Sequence, residues 1–219
     1  MPILAVDTAT TDLVAGVVEG TGAGARTLAG ACVPTRAHNE TLVPEITRLL
    51  GEAGIGFADL EAVVVGCGPG PFTGLRVGMA TASALGQALG VPVHGVCTHD
   101  AVAAGLGGDA LVVTDARRRE VYHARYRRLV DGTVRRESGP AVAPPADVAA
   151  ELTACDLLVG SGARLYPDLL PATSELVDAD ASHLIEVAAL LHAQGEDLTS
   201  TDPLYLRDPD AAKPTSRKS

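Results

Sequence analysis

Residues 62–74 read AVVVGCGPGPFTG, and this stretch decides the fold class. The apolar run at its start is typical of a strand that is buried on both faces of a sheet. A glycine-rich turn follows, and a helical spacing then continues from about Thr73 to Leu89, where Gly90 and Pro92 end it. A buried strand, a tight turn and a helix in this order predict an α/β protein.

Strands and helices alternate on both sides of this stretch. The first half adds strands at 3–6, 13–18, 27–33 and 93–96, and helices at 38–51 and 100–106. Asn39 or Thr41 is expected to cap the helix that Gly51 ends. A second, smaller set of strands and helices begins at Leu111, after Gly107 and Gly108. The sequence therefore predicts two related lobes and a polar tail, with the boundaries 1–106, 107–205 and 206–219.

Composition excludes several kinds of chemistry. The chain has 219 residues and a net charge of −10, which argues against nucleic-acid binding over the whole surface. Its only lysines, Lys213 and Lys218, lie in the polar tail, so a P-loop, a kinase lysine and a Schiff base are excluded. The stretch from Asp115 to Glu137 contains eight arginines and four acidic residues. These arginines either face solvent or contact phosphates.

No motif for a metal or a catalytic nucleophile is present in the sequence. No histidine has a second histidine four residues further on, and Gly160-Ser161-Gly162 is not a nucleophile elbow. Asp7, at the end of the first strand, is the best candidate acid. We therefore predict no catalytic residue, no cofactor and no metal. The N-terminus has no signal peptide and no apolar run is long enough to cross a membrane, which predicts a cytoplasmic protein.

The helix after the glycine-rich turn carries small residues at every fourth position. These residues, Gly74, Gly78, Ala82 and Gly86, form one stripe along the helix. Glycine inside a helix costs about 1 kcal/mol relative to alanine, so the stripe indicates the close approach of another element. That element is either part of this chain or a second subunit.

Five segments together resemble one family of proteins. They read ILAVDTAT at 3–10, HNETLVPEI at 38–46, GPGPFTGLRVG at 68–78, DARRREVY at 115–122 and PLYLR at 203–207. This set resembles the TsaB family, formerly YeaZ, of bacterial tRNA threonylcarbamoyladenosine biosynthesis proteins. The resemblance implies the two-lobed actin-like ATPase fold (the ASKHA class, related to ribonuclease H) with a reduced second lobe.

The resemblance also implies a partner. TsaB is similar to TsaD, which transfers threonylcarbamoyl to N6 of the adenosine beside the tRNA anticodon and needs a metal held by two histidines. Thr98 and Val102 occupy the corresponding positions here, so the resemblance implies a non-catalytic scaffold that activates TsaD. The resemblance further implies that TsaE completes a ternary complex, that tRNA is met only through that complex, that the chain alone forms a homodimer and that no membrane is involved.

In that family the partner packs against the helices near 39–50 and 73–89. The residues expected to bind it here are Leu42, Ile46, Leu49, Gly74, Leu75, Gly78, Ala82 and Gly86. A bulky side chain at Gly78 is then expected to disrupt the complex and to leave the monomer folded.

Two other functions remain open at the level of sequence. A free-standing ATPase or kinase of the actin-like fold needs a second phosphate loop, where Ala116 and arginines replace the glycines. A self-associating module would use the same helices as the heterodimer. The sequence also leaves open whether the arginines at 117–136 contact tRNA, whether nucleotide binds at the TsaD interface, and what Pro71 does in the glycine-rich loop.

Overall fold

A five-stranded sheet forms the centre of the N-terminal half. The computed structural model describes residues 1–22, 25–152, 155–173 and 179–206. The strands of this sheet lie in the order β3-β2-β1-β4-β5. Strand β1 pairs antiparallel with β2 and parallel with β4. The strand bounds are β1 Pro2–Asp7, β2 Asp12–Glu19, β3 Arg26–Pro34, β4 Ala62–Gly66 and β5 Val93–Val96.

A second, four-stranded sheet follows, with the order β8-β7-β6-β9. Its central strand again pairs antiparallel on one side, with β7, and parallel on the other, with β9. The bounds are β6 Ala110–Asp115, β7 Val121–Arg128, β8 Val134–Ala143 and β9 Leu157–Val159. The smaller sheet thus repeats the connectivity at the centre of the first, and the prediction of a two-part α/β fold is confirmed.

The helix bounds are α1 His38–Ala53, α2 Phe72–Leu89, α3 Thr98–Ala104, α4 Pro145–Ala149, α5 Ser161–Leu165 and α6 Ala181–Ala193. Helices α1 and α2 cover one face of the first sheet and α3 and α6 the other, whereas α4 and α5 pack with the second sheet. Successive residues of β1 point to opposite faces, so Leu4 and Val6 pack with α1, whereas Ile3 and Ala5 pack with α3 and α6. No helix among the described residues is both long enough and apolar enough to cross a membrane.

The last part of the described chain returns to the first sheet. Helix α6 packs on β1 and β2, and the amide of Gly95 in β5 donates to the carbonyl of Leu198 over 3.0 Å. Leu204 likewise donates to the carbonyl of Cys67 over 2.9 Å. The sequence assigned these segments to a second lobe at 107–205, and this division of the chain into lobes stays a prediction. Residues 207–219 of the predicted tail lie outside the described residues.

The ends of the two long helices differ from the predictions. Neither Asn39 nor Thr41 caps α1, because the helix begins at His38 and the Thr41 hydroxyl donates to the carbonyl of Ala37 over 2.9 Å. The helix also continues past Gly51 to Ala53 and ends at Gly54, whose φ of 72° suits a residue without a side chain.

Candidate partner-binding site

The residues that were predicted to meet a partner lie inside the packing of this chain. Gly74 is half-buried and the other seven are buried, in a layer between the two long helices and the first sheet: Leu42, Ile46, Leu49, Gly74, Leu75, Gly78, Ala82 and Gly86. A partner that approaches the helices from outside does not reach these side chains. The stripe of small residues serves close packing within the chain, and the assignment of these eight residues to a partner interface stays a prediction.

The element that the stripe accommodates is the turn between β1 and β2. The Thr8 hydroxyl donates to the carbonyl of Gly74 over 2.7 Å and accepts from the amide of Gly78 over 3.0 Å. A Cβ atom at Gly78 would lie 2.5 Å from the Thr8 Oγ1 atom, a distance that real Cβ contacts do not show. A bulky residue at Gly78 is therefore expected to disturb this packing within the monomer, whereas the expectation that the monomer stays folded remains a prediction.

The glycine-rich turn before α2 packs against residues 7–9, at the end of β1 and the start of the turn that follows it. A Cβ atom at Gly66 would overlap the Asp7 carboxylate, and one at Gly70 would overlap the carbonyl of Ala9. The amide of Gly68 donates to the Thr98 hydroxyl over 3.2 Å. The small residues of this turn thus accommodate residues 7–9, which explains the glycines by close packing.

Asp7, the candidate acid, is held by groups of the chain itself. Its carboxylate is 2% exposed and accepts from the Thr98 hydroxyl over 2.6 Å and from the amide of Ala9 over 2.7 Å. Burial raises the pKa of Asp7 to about 6, although both hydrogen bonds lower it. Asp7 therefore joins β1 to α3 at the centre of the molecule.

The positions that correspond to a metal-binding histidine pair lie on α3. Val102 is buried in the core, and the Thr98 hydroxyl donates a hydrogen bond to the Asp7 carboxylate. The neighbouring His99 is fully buried, and its Nε2 atom lies 2.9 Å from the Thr114 hydroxyl of β6. Burial lowers the pKa of His99 to about 3, with smaller contributions from His123 and Arg136. The neutral imidazole thus links α3 to the second sheet.

The opposite side of α1 and α2 is accessible and partly apolar. Val43 of α1 is 50% exposed and Phe72 of α2 is 52% exposed. A depression of about 410 Å³ between the helices is lined by residues of both. We call the exposed residues Asn39, Val43, Phe72, Thr73, Arg76 and Ala80, with the half-buried Val77 and Thr81, the outer helix face. Val43 and Phe72 are large apolar residues that lie off the inward stripe, and this signal in the sequence could have predicted the face.

Three side chains form a cluster at one end of the outer helix face. The rings of Phe72 and Tyr205 stack with centroids 5.2 Å apart, and the Arg76 guanidinium lies 4.0 Å above the Phe72 ring. Arg76 Nε also donates to the Tyr205 hydroxyl over 3.0 Å. Aromatic residues and arginine are enriched where protein interfaces bind most strongly. The segment after α6 thus adds an aromatic side chain to this surface.

The arginine-rich stretch has two different parts. On the second sheet, Arg127 pairs with Glu137 at 2.9 Å and Arg136 with Asp100 at 3.4 Å, so acids of the chain compensate these charges. At the turn between β6 and β7, residues 117–119 have φ angles of 61°, 53° and 63°. Each left-handed residue other than glycine costs roughly 1–2 kcal/mol, and the turn exposes all three arginines.

The fold and the helix pair define the class of protein. Two sheets with repeated connectivity, the second smaller, make a two-lobed α/β protein of the actin-like ASKHA class. YeaZ from Pseudomonas aeruginosa has a similar structure, with a TM-score of 0.76 and 29% identity over 94% of this chain and 100% of that one. A family model described as TsaD, tRNA N6-adenosine threonylcarbamoyltransferase, matches residues 29–159.

Individual relatives narrow the assignment. The tRNA threonylcarbamoyladenosine biosynthesis protein TsaB of Escherichia coli is 31% identical over 79% of this chain and 82% of that protein. An uncharacterized protein of Mycobacterium leprae is 56% identical over 67% of this chain, and the match spans 40% of its length. The chain belongs to the TsaB (YeaZ) family, as the resemblance of its motifs predicted.

Proposed function

We propose that this chain is a non-catalytic subunit that activates TsaD in the transfer of threonylcarbamoyl to N6 of the adenosine beside the tRNA anticodon. The observation that carries the proposal is the outer helix face, an accessible and partly apolar surface on a chain of the TsaB family. A scaffold needs such a surface, and exposed apolar patches with aromatic anchors mark sites of protein association.

TsaD is the partner that fits this surface best. Both helices of the outer helix face lie within residues 29–159, the part that matches the TsaD model, so we expect TsaD to carry an equivalent pair. Two such pairs can pack as a four-helix bundle, in which apolar side chains interdigitate. The same face would support a homodimer when TsaD is absent, and both assemblies are therefore part of the proposal.

A scaffold role without catalysis agrees with the chemistry of the buried centre. Thr98 and Val102 replace the expected histidine ligands, and the Asp7 carboxylate is engaged by Thr98 and Ala9. In this proposal the metal and the reacting groups belong to TsaD, TsaE joins the complex, and tRNA is met through the assembly. We place this work in the cytoplasm, where tRNA is modified in bacteria. The proposed boundary between the lobes remains near residue 107.

The proposal is tested by calorimetric titration of TsaD from the same organism into this chain. Ala80 is exposed at the centre of the outer helix face, and Ala80→Glu adds a charge that an apolar interface cannot hydrate. We expect this variant to weaken binding at least about a hundredfold, or roughly 3 kcal/mol.

Ala193→Glu is the matched control, since Ala193 is an exposed helical residue at the end of α6, across the first sheet. We expect it to bind TsaD like the parent chain. Failure of the parent chain to bind TsaD would contradict the proposed partnership. Equal affinity of Ala80→Glu and the parent would contradict the proposed surface.

A further inference from the structure

A cavity of about 570 Å³ lies between α3, α6 and the hairpin that joins β7 to β8. It lies on the side of the first sheet opposite to α1 and α2, so no residue of the outer helix face lines it. Cavities of about 300–1,000 Å³ accommodate small organic molecules. The proposed activation of TsaD makes no use of this cavity.

The walls of the cavity are mainly apolar. Six apolar side chains from the two helices and the hairpin form them: Ala104, Leu129, Val134, Val187, Leu190 and Leu191. Val187 is buried and the other five are half-buried. A ligand with an apolar body removes the accessible part of these side chains from water, and this burial is favourable.

One end of the cavity is polar. The Tyr126 hydroxyl donates to the Asp100 carboxylate over 2.7 Å, and the Arg136 Nε atom lies 3.4 Å from the same oxygen. All three residues line the cavity. Within the described part of the chain, Arg136 makes no other ion pair and no side-chain hydrogen bond. Because a guanidinium has five N–H donors, its terminal nitrogens are left to bind a ligand.

The charges around the cavity limit the charge of that ligand. Asp100 and Glu186 are the acidic residues of the lining, and Arg135 and Arg136 are the basic ones, so the sum is zero. A ligand with several charges would leave some of them unmatched beside apolar walls. A ligand with one negative group needs only the terminal nitrogens of Arg136. A cation would instead compete with Arg136 for Asp100.

We propose that this cavity binds an apolar monocarboxylic acid of the size of a medium-chain fatty acid. The chain or ring of the acid covers the apolar walls, and its carboxylate pairs with the terminal nitrogens of Arg136, whose planar fork matches two carboxylate oxygens. Asp100 holds the Nε atom, so the guanidinium is oriented before the acid binds and loses little freedom. This inference is independent of the proposed function.

The test uses three probes that share one apolar body and differ in charge. Octanoate, octanamide and octylamine are titrated by calorimetry into the parent chain at pH 7. Arg136→Gln removes the guanidinium, and Ala104→Phe fills the cavity from α3.

Each variant has a matched control outside the lining of the cavity. Arg127→Gln makes the same change of charge at an exposed arginine of the neighbouring strand β7, which pairs with Glu137. Ala193→Phe adds the same ring at an exposed position at the end of α6. Unfolding midpoints measured for every variant confirm that each compared protein is folded.

We expect octanoate to bind at least roughly tenfold more tightly than octanamide and octylamine, and Arg136→Gln to remove this preference. Ala104→Phe should weaken octanoate binding at least about tenfold, whereas both controls should bind it like the parent. Absence of octanoate binding overturns the proposal, as does equal or tighter binding of octanamide or octylamine. These comparisons on the parent chain need no variant. Equal losses in Arg136→Gln and Arg127→Gln also overturn the proposal, because they show a general effect of charge.

Discussion

The Thr8 hydroxyl lies between the carbonyl of Gly74 and the amide of Gly78, at 2.7 and 3.0 Å. In an undisturbed α-helix these two backbone groups pair with each other. A side chain from the turn after β1 thus enters the hydrogen-bonding pattern of α2, which fixes the helix on the sheet. The outward side of the same helix is left free to meet a partner.

Gly78→Leu is expected to destabilise the monomer. The new side chain cannot share space with Thr8, and its accommodation breaks a buried hydrogen bond and shifts the helix. We expect a loss of at least about 2 kcal/mol in the free energy of unfolding, measured with urea. Ala84→Leu, at an exposed position of the same helix, is the control and should lie within about 0.5 kcal/mol of the parent. Equal stability of the two variants would contradict this view of the stripe.

The contact between α6 and the first sheet is tested by a pair of glycines that face each other across β2 and β3. A Cβ atom at Gly16 would lie 2.5 Å from the Cβ atom of Ala181, whereas one at Gly30 meets its nearest neighbour at an ordinary 3.4 Å. Gly16→Ala should therefore cost about 1–3 kcal/mol more than Gly30→Ala in the same thermal or urea unfolding experiment. Indistinguishable variants would show that α6 does not pack tightly here.

The buried Asp7 makes stability depend on pH. Its pKa is about 6 in the folded chain against 3.8 for an unperturbed aspartate. The folded state therefore favours the neutral carboxyl, and this contribution is present below pH 3.8 and lost as the pH rises through 6. Asp7→Asn removes the ionisation, so its stability relative to the parent should rise by about 2 kcal/mol between pH 4 and pH 7 by the linkage relation.

Asp197→Asn is the comparison for this pH dependence. Hydrogen bonds from Thr199 lower the pKa of the exposed Asp197 carboxyl, so the substitution should shift relative stability in the opposite direction, by a smaller amount. Urea unfolding at five pH values gives both trends. A relative stability of Asp7→Asn that does not change with pH would contradict the burial of a titrating carboxyl.

Local patterns in the sequence were enough to predict the strands and the two long helices. Strand β4 could be predicted from the apolar run before Gly66. Helix α1 could be predicted from the spacing of Leu42, Ile46 and Leu49, because a helix that is buried on one face repeats its apolar residues periodically. The same pattern revealed the small-residue stripe. It did not reveal the neighbour of the stripe, since Thr8 precedes Gly78 by 70 residues and a helix period identifies a face without its contact.

Contacts between distant segments account for the other differences. Tyr205 reaches Arg76 across 129 residues, and nothing near Tyr205 in the sequence indicates which helix it meets. The packing of helix α6 on the first sheet was not predicted, because an apolar helix fits either sheet. The caps proposed at Asn39 and Thr41 failed because tertiary packing sets the start of α1, which has no side-chain cap.

We propose that the chain activates TsaD and does not itself catalyse the transfer. The most direct measurement is the formation of threonylcarbamoyladenosine in tRNA, with threonylcarbamoyl-adenylate supplied, by each protein alone and by the mixture. We predict product in the mixture, no product from this chain alone, and loss of the stimulation with Ala80→Glu. Transfer by this chain alone, or the same rate from TsaD whether or not this chain is present, would contradict the account.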